Sequence, residues 1–135
     1  MPNEQTVRGS NFTCFHAGPM EGWGQFRLEP PDVPVPARGK LFLRGLLGSA
    51  GLEMSLNVVP PGKGIPFLHR HRQNDEVYVV VEGRGQFRNG DTRHPFGPGD
   101  LLFVPAGVVH RFEDFTDDLA VWVIFYGPEG GEARR

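Results

Sequence analysis

HRHRQNDEVYVVVEG (residues 69–83) and GDLLFVPAGVVHRFED (residues 99–114) decide the reading of this chain. The first stretch carries His69, His71 and Glu76; the second carries His110. Side chains two apart on a strand leave the same face, about 6.6 Å apart along the chain. His69 and His71 therefore stand side by side, and both imidazoles can reach one ion at about 2.1 Å. Glu76 has the opposite parity to His71. The intervening Arg72-Gln73-Asn74-Asp75 is turn-like, however, and a turn resets parity. Glu76 then opens the neighbouring antiparallel strand and faces the same cavity. His110 must arrive from a distant strand. Asp75 is the competing carboxylate. A histidine taken alone is more often an ordinary surface or core residue; the metal reading rests on the combination.

Outward from these stretches the pattern is strand and turn. Leu41–Leu47 is a candidate strand closed by Gly48-Ser49-Ala50-Gly51. Leu52, Met54, Leu56 and Val58 then alternate with Glu53, Ser55 and Asn57, the period of a half-buried strand. Pro60-Pro61-Gly62 stops it. Phe67–His71 and Glu76–Val81 follow. Asn89-Gly90 predicts a type I′ hairpin turn joining strands near 84–88 and 92–96. Leu101–Val104, Val108–Phe115 and Leu119–Tyr126 complete the series. No run has convincing helical period. About nine or ten short strands with close turn spacing predict an all-β sandwich or barrel.

Residues 1–39 read differently. Pro30, Pro31, Pro34 and Pro36 exclude a helix over Glu29–Pro36, because proline fixes φ and lacks the N–H. The segment is either a surface linker or an extended arm that packs on the barrel or on a partner subunit, anchored by Trp23 and Phe26. Residues 40–126 form the barrel and 127–135 a polar tail.

The length, 135 residues, suits one domain with a real core. Fourteen Lys and Arg against sixteen Asp and Glu leave a net charge of −2 with no like-charge block. Neither nucleic acid nor an anionic membrane is expected as partner. The longest apolar run, Leu119–Tyr126, is far short of the roughly 20 residues that cross a bilayer. The N-terminus has no signal-peptide pattern. Cys14, the single cysteine, excludes an internal disulfide framework and fits a cytoplasmic location. Cys14 reads as a small buried or half-buried residue rather than a nucleophile, and His94 as a solvated one.

The two quoted stretches resemble the paired motifs of the cupin superfamily. His69, His71, Glu76 and Gly83 meet the first motif, although its leading glycine has no counterpart at the family's spacing. Gly99, Pro105, Gly107 and His110 meet the second, with Asp114 where the family has asparagine. Fifteen residues separate Gly83 from Gly99, similar to the short spacer of small microbial cupins. The resemblance covers residues 40–126. It implies a single jelly-roll β-barrel with an N-terminal arm, and a metal held by His69, His71, Glu76 and His110. It also implies a homodimer paired through a sheet. Val77, Val79 and Val81 agree with this, because alternation with Tyr78 and Val80 makes both faces of their strand apolar.

Three imidazoles and a carboxylate suit one divalent Fe, Mn, Ni, Cu, Co or Zn ion, and are too rich in nitrogen for Ca or Mg. Positions left open on the ion would take a small chelating molecule. The cavity wall is expected to draw on Tyr78, Phe87, Phe103, Phe112 and Trp122. Tyr78 and Gln86 are the candidate catalytic groups. The resemblance implies a metal-dependent dioxygenase, isomerase, decarboxylase or lyase, with a non-catalytic binding or sensing module as the alternative.

Overall fold

The computed structural model describes residues 6–28, 37–59, 74–115 and 118–127. Two antiparallel sheets face each other. The larger contains β5 (Lys40–Phe42), β6 (Leu52–Val59), β7 (Asp75–Glu82), β10 (Leu101–Val104) and β12 (Leu119–Tyr126), in the order β10-β7-β12-β6-β5. The smaller contains β8 (Gly85–Asn89), β9 (Thr92–Phe96) and β11 (His110–Glu113), in the order β11-β8-β9. This is the expected all-β jelly roll. The core fills the space between the sheets: Tyr78, Val80, Val121, Val123 and Phe125 from one pack on Phe87, Phe96 and Phe112 from the other and on Phe115 just beyond it.

The outer face of the larger sheet is half covered. The N-terminal segment brings β2 (Thr13–Phe15) and a 3-10 helix (Met20–Gln25) onto it, with β1 (Thr6–Arg8) paired to β2, and β3 (Arg27–Leu28) pairs with β4 (Ala37–Arg38). Trp23 and Phe26 are both buried there. Trp23 meets Trp122 edge to face at 4.9 Å and donates its indole N–H to the Gly18 carbonyl. The alternation in β6 thus turns its more apolar side outward. Met54, Leu56 and Val58 face outward beneath Trp23, while Glu53, Ser55 and Asn57 take the opposite face. Lys40 donates to Asn57, and Asn57 donates to Ser55, so the inward polar atoms are bonded.

Three expectations about elements require correction. Leu41–Leu47 is not one strand: β5 ends at Phe42 and a short helix, α1 (Arg44–Leu47), follows. The buried Glu53 carboxylate accepts the Leu43 and Arg44 N–H groups at 3.2 and 2.8 Å, supplying the helix start with partners that a ladder would otherwise provide. The hairpin turn is centred on Gly90-Asp91, since Asn89 pairs with Thr92. Gly90 alone has positive φ (+64°), so the turn follows II′ rules, with glycine at the first central position. β11 is shorter than Val108–Phe115, because Val108 closes a turn onto the Pro105 carbonyl and Asp114 leaves the strand at φ +56°. The expected strand Phe67–His71 lies outside the described residues.

Candidate metal centre

β7 runs antiparallel between β10 and β12, with Glu76 beside Val104 on one side and Phe125 on the other. Asn74, Glu76, Tyr78 and Val80 are buried in alternation and share the inward face. β11 pairs with β8 so that His110 lies opposite Asn89 and Phe112 opposite Phe87. The inward faces of β7 and β11 therefore meet. Glu76 and His110, 34 positions apart in sequence, are 2% and 0% exposed. His110 Nε2 lies 2.8 Å from Glu76 Oε1.

The other imidazole nitrogen fixes the chemistry. His110 Nδ1 is 2.9 Å from the Val108 carbonyl oxygen. A carbonyl only accepts, so Nδ1 carries the proton and Nε2 presents its lone pair to the interior. In neutral imidazole that lone pair points at a carboxylate oxygen. Two acceptors at 2.8 Å repel unless a cation lies on their common side or a proton lies between them. The donor set therefore fits a transition-metal ion, with Nε2 and a carboxylate oxygen as two ligands and Val108 as the outer partner that metal-binding histidines use.

Tyr78 completes the cluster. Its hydroxyl donates to Glu76 Oε2 at 3.1 Å and lies 3.0 Å from His110 Nε2. Burial first, then the neighbouring Glu76 charge and its hydrogen bond, push the phenol well above its ordinary pKa. Tyr78 is therefore a neutral donor at physiological pH. Its ring meets Phe112 edge-on at 4.9 Å and Phe87 at 5.8 Å, and Phe87 lies 6.0 Å from the His110 ring. Aromatic faces thus exclude water from one side of the pair.

The remaining candidates separate. His69 and His71 lie outside the described residues, and among the described residues no group of three or more His, Cys, Asp or Glu side chains gathers as a metal site. Asp75 has the opposite parity to Glu76 and accepts the Ala106 N–H at 2.9 Å, so its carboxylate braces the β10–β11 turn. Gln86 shares the parity of Arg88, away from the inward Phe87. Of the expected cavity wall, Tyr78, Phe87 and Phe112 face inward, whereas Trp122 lies under Trp23 and Phe103 is 57% exposed. His94 is exposed as expected. Cys14 is half-buried, with His16 Nε2 3.7 Å from its sulfur. The sequence motifs mark neither Asn74 nor the Val108 carbonyl. Counting back by two from Glu76 would have found Asn74.

The motif glycines have backbone reasons. Gly83 has φ +109°, and a Cβ there would lie 3.0 Å from Leu119 Cα and 3.1 Å from the Asp118 carbonyl oxygen. Gly99 and Gly107 also turn at positive φ. Asp114 occupies the left-handed region that asparagine and aspartate tolerate better than other side chains.

The cupin-domain family model matches residues 55–126. An uncharacterized protein of Streptomyces coelicolor is 36% identical over 104 residues, spanning 77% of this chain and 96% of the relative. A gentisate 1,2-dioxygenase from a Ralstonia species is 30% identical over 82 residues, 60% of this chain but 22% of that enzyme. The crystal structure of a cupin protein from Bacteroides fragilis superposes with a TM-score of 0.59 at 26% identity, covering 65% of this chain and 75% of the other. Fold, paired motifs and family match agree, and the chain belongs to the cupin family.

Proposed function

We propose that this cupin holds one divalent transition metal through His69, His71, Glu76 and His110 and acts as an enzyme on a small organic molecule that chelates it. The observation carrying this reading is the 2.8 Å approach of His110 Nε2 to Glu76 Oε1, with Nδ1 committed to the Val108 carbonyl. A bound ion would polarise a substrate oxygen as a Lewis acid, or support dioxygen chemistry if it is redox-active. The chain's own groups have distinct roles. Val108 fixes the His110 tautomer, the Tyr78 hydroxyl holds the Glu76 carboxylate in orientation, and Phe87 and Phe112 keep water from that side. The relatives include dioxygenases and a mannose-6-phosphate isomerase, so this reading spans the dioxygenase, isomerase, decarboxylase and lyase classes.

The test is oxygen uptake by Fe(II)-loaded protein with chelating hydroxy acids, phenols and thiols. Turnover abolished by Glu76→Ala and His110→Ala supports the enzyme. Ligand binding without turnover of any compound, with iron or with zinc, leaves a binding module instead.

The same reading includes a second copy of the chain. Among the described residues β10 is the edge of its sheet, and Leu101 and Phe103 beside Val79 and Val77 expose 67% and 57% of their surface. An apolar edge strand that pairs with itself across a two-fold axis is buried without forming an open fibre. Light scattering should give twice the 15.0 kDa chain mass; Phe103→Glu should return it to one.

A further inference from the structure

Two asparagine side chains near the centre carry buried polar atoms without partners. Asn74 is 1% exposed, and neither its Oδ1 nor its Nδ2 meets a hydrogen-bond partner among the described residues. Asn89 Oδ1 is also buried and unpartnered. Roughly nine in ten buried polar groups in native proteins are bonded, so these two amides need a cause. Their placement supplies it. Asn74 lies two residues before Glu76 on the same inward face, and Asn89 stands directly across the ladder from His110.

The barrel interior is therefore graded along its length. One end holds Asn74, Glu76, His110 and Asn89. Tyr78, Phe87 and Phe112 come next, and Val80 lies beyond. Asn89 also lines a cleft of about 380 Å³ between the β9 and β10 edges, with Phe87, Thr92, His94 and Leu102. A cleft of that volume accommodates a small ligand.

We propose that Asn74 and Asn89 recognise the molecule that occupies the metal's open positions. This rests on the metal-centre reading above. Two amide oxygens require hydrogen-bond donors, and the Asn74 amide nitrogen requires an acceptor. The ligand they fit is a small chelator carrying a hydroxyl beside a carboxylate or carbonyl. The hydroxyl donates to one amide oxygen, that of Asn89, and the carboxylate accepts from the Asn74 amide nitrogen; an anion with no hydroxyl can reach the ion but offers no donor to either amide oxygen.

The experiment uses protein loaded with one equivalent of Co(II), whose visible absorption reports its ligands. Glycolate and azide are the probes, applied to the wild type and to Asn74→Leu and Asn89→Leu, which nearly preserve shape. Each variant should keep its cobalt and its azide affinity within about twofold. Each should bind glycolate about tenfold or more weakly, the loss of one hydrogen bond to a charged ligand. Unchanged glycolate affinity in both variants would overturn the proposal, as would glycolate and azide weakening together, or loss of the metal. If leucine prevents folding, the alanine variants carry the same comparison. A wild type that takes up no cobalt fails the metal reading itself. A wild type that binds cobalt but shows no loss in its variants fails only this inference.

Discussion

Tyr78→Phe removes one oxygen atom from the centre of the site and leaves the ring packed against Phe112 and Phe87. The hydroxyl has a single proton and two neighbours, Glu76 Oε2 at 3.1 Å and His110 Nε2 at 3.0 Å. With a metal on His110 Nε2, the proton goes to Glu76. A hydrogen bond to a charged group contributes about 1.5–3 kcal/mol. If that bond only orients a ligand, its loss lowers metal affinity by about 10- to 100-fold, the usual range for outer partners. Zinc affinity should be measured by competition with a chelator of known strength, with near-UV circular dichroism as the control for packing. The raised phenol pKa sets the sign of the pH dependence. The hydroxyl's contribution is fully present below the unfolded value of about 10 and is lost as pH rises through the folded value. The difference between wild type and variant should therefore hold across neutral pH. A variant that binds zinc within twofold of the wild type, with packing intact, would refute the role of Tyr78 as the group that holds Glu76.

Three further outcomes test the scaffold. Trp23→Ala should cost about 3–5 kcal/mol in denaturant unfolding, because it empties a buried aromatic site against Trp122; metal content of the folded fraction should not change. Gly83→Ala should lower the melting temperature of the metal-free protein, since the new Cβ meets backbone at 3.0 Å in a positive-φ turn. Glu113 is held below the usual carboxylate range, first by the Arg111 hydrogen bond and further by the Arg111, Arg88 and Arg93 charges. Its contribution is present above the unfolded value and lost as pH falls through the lowered folded value. Glu113→Gln should therefore be less stable than wild type at neutral pH, with the gap closing in acid.

The fold was readable where one rule governed a segment. Leu119–Tyr126 lies in the centre of its sheet, and its apolar run marks both its ends. Leu101–Val104 was equally clear between its proline-containing turns. Reading failed where a distant group decided the local structure. Nothing near Arg44 announces that a carboxylate from β6 will receive its N–H and start a helix. The alternation in β6 gave the strand but not its direction, because Trp23, some 30 positions away, covers the outer face. Phe103 and Trp122 were placed in the cavity by residue type alone, and parity within β10 and β12 sends both outward. At the site, the motif spacing singles out Glu76 and His110, and the structure buries both, with Nε2 and Oε1 2.8 Å apart. The Val108 carbonyl was not legible, since a backbone acceptor leaves no mark in the residue names.

The central claim is that one metal ion is held by Glu76, His110 and the two motif histidines. Elemental analysis of tag-free protein, purified without added metal or chelator, tests it most directly, alongside His71→Ala and His110→Ala. The wild-type chain should carry about one transition-metal ion, and the folded variants should have lost most of it. A metal-free wild type that takes up none on titration would contradict the account, as would variants that keep full occupancy.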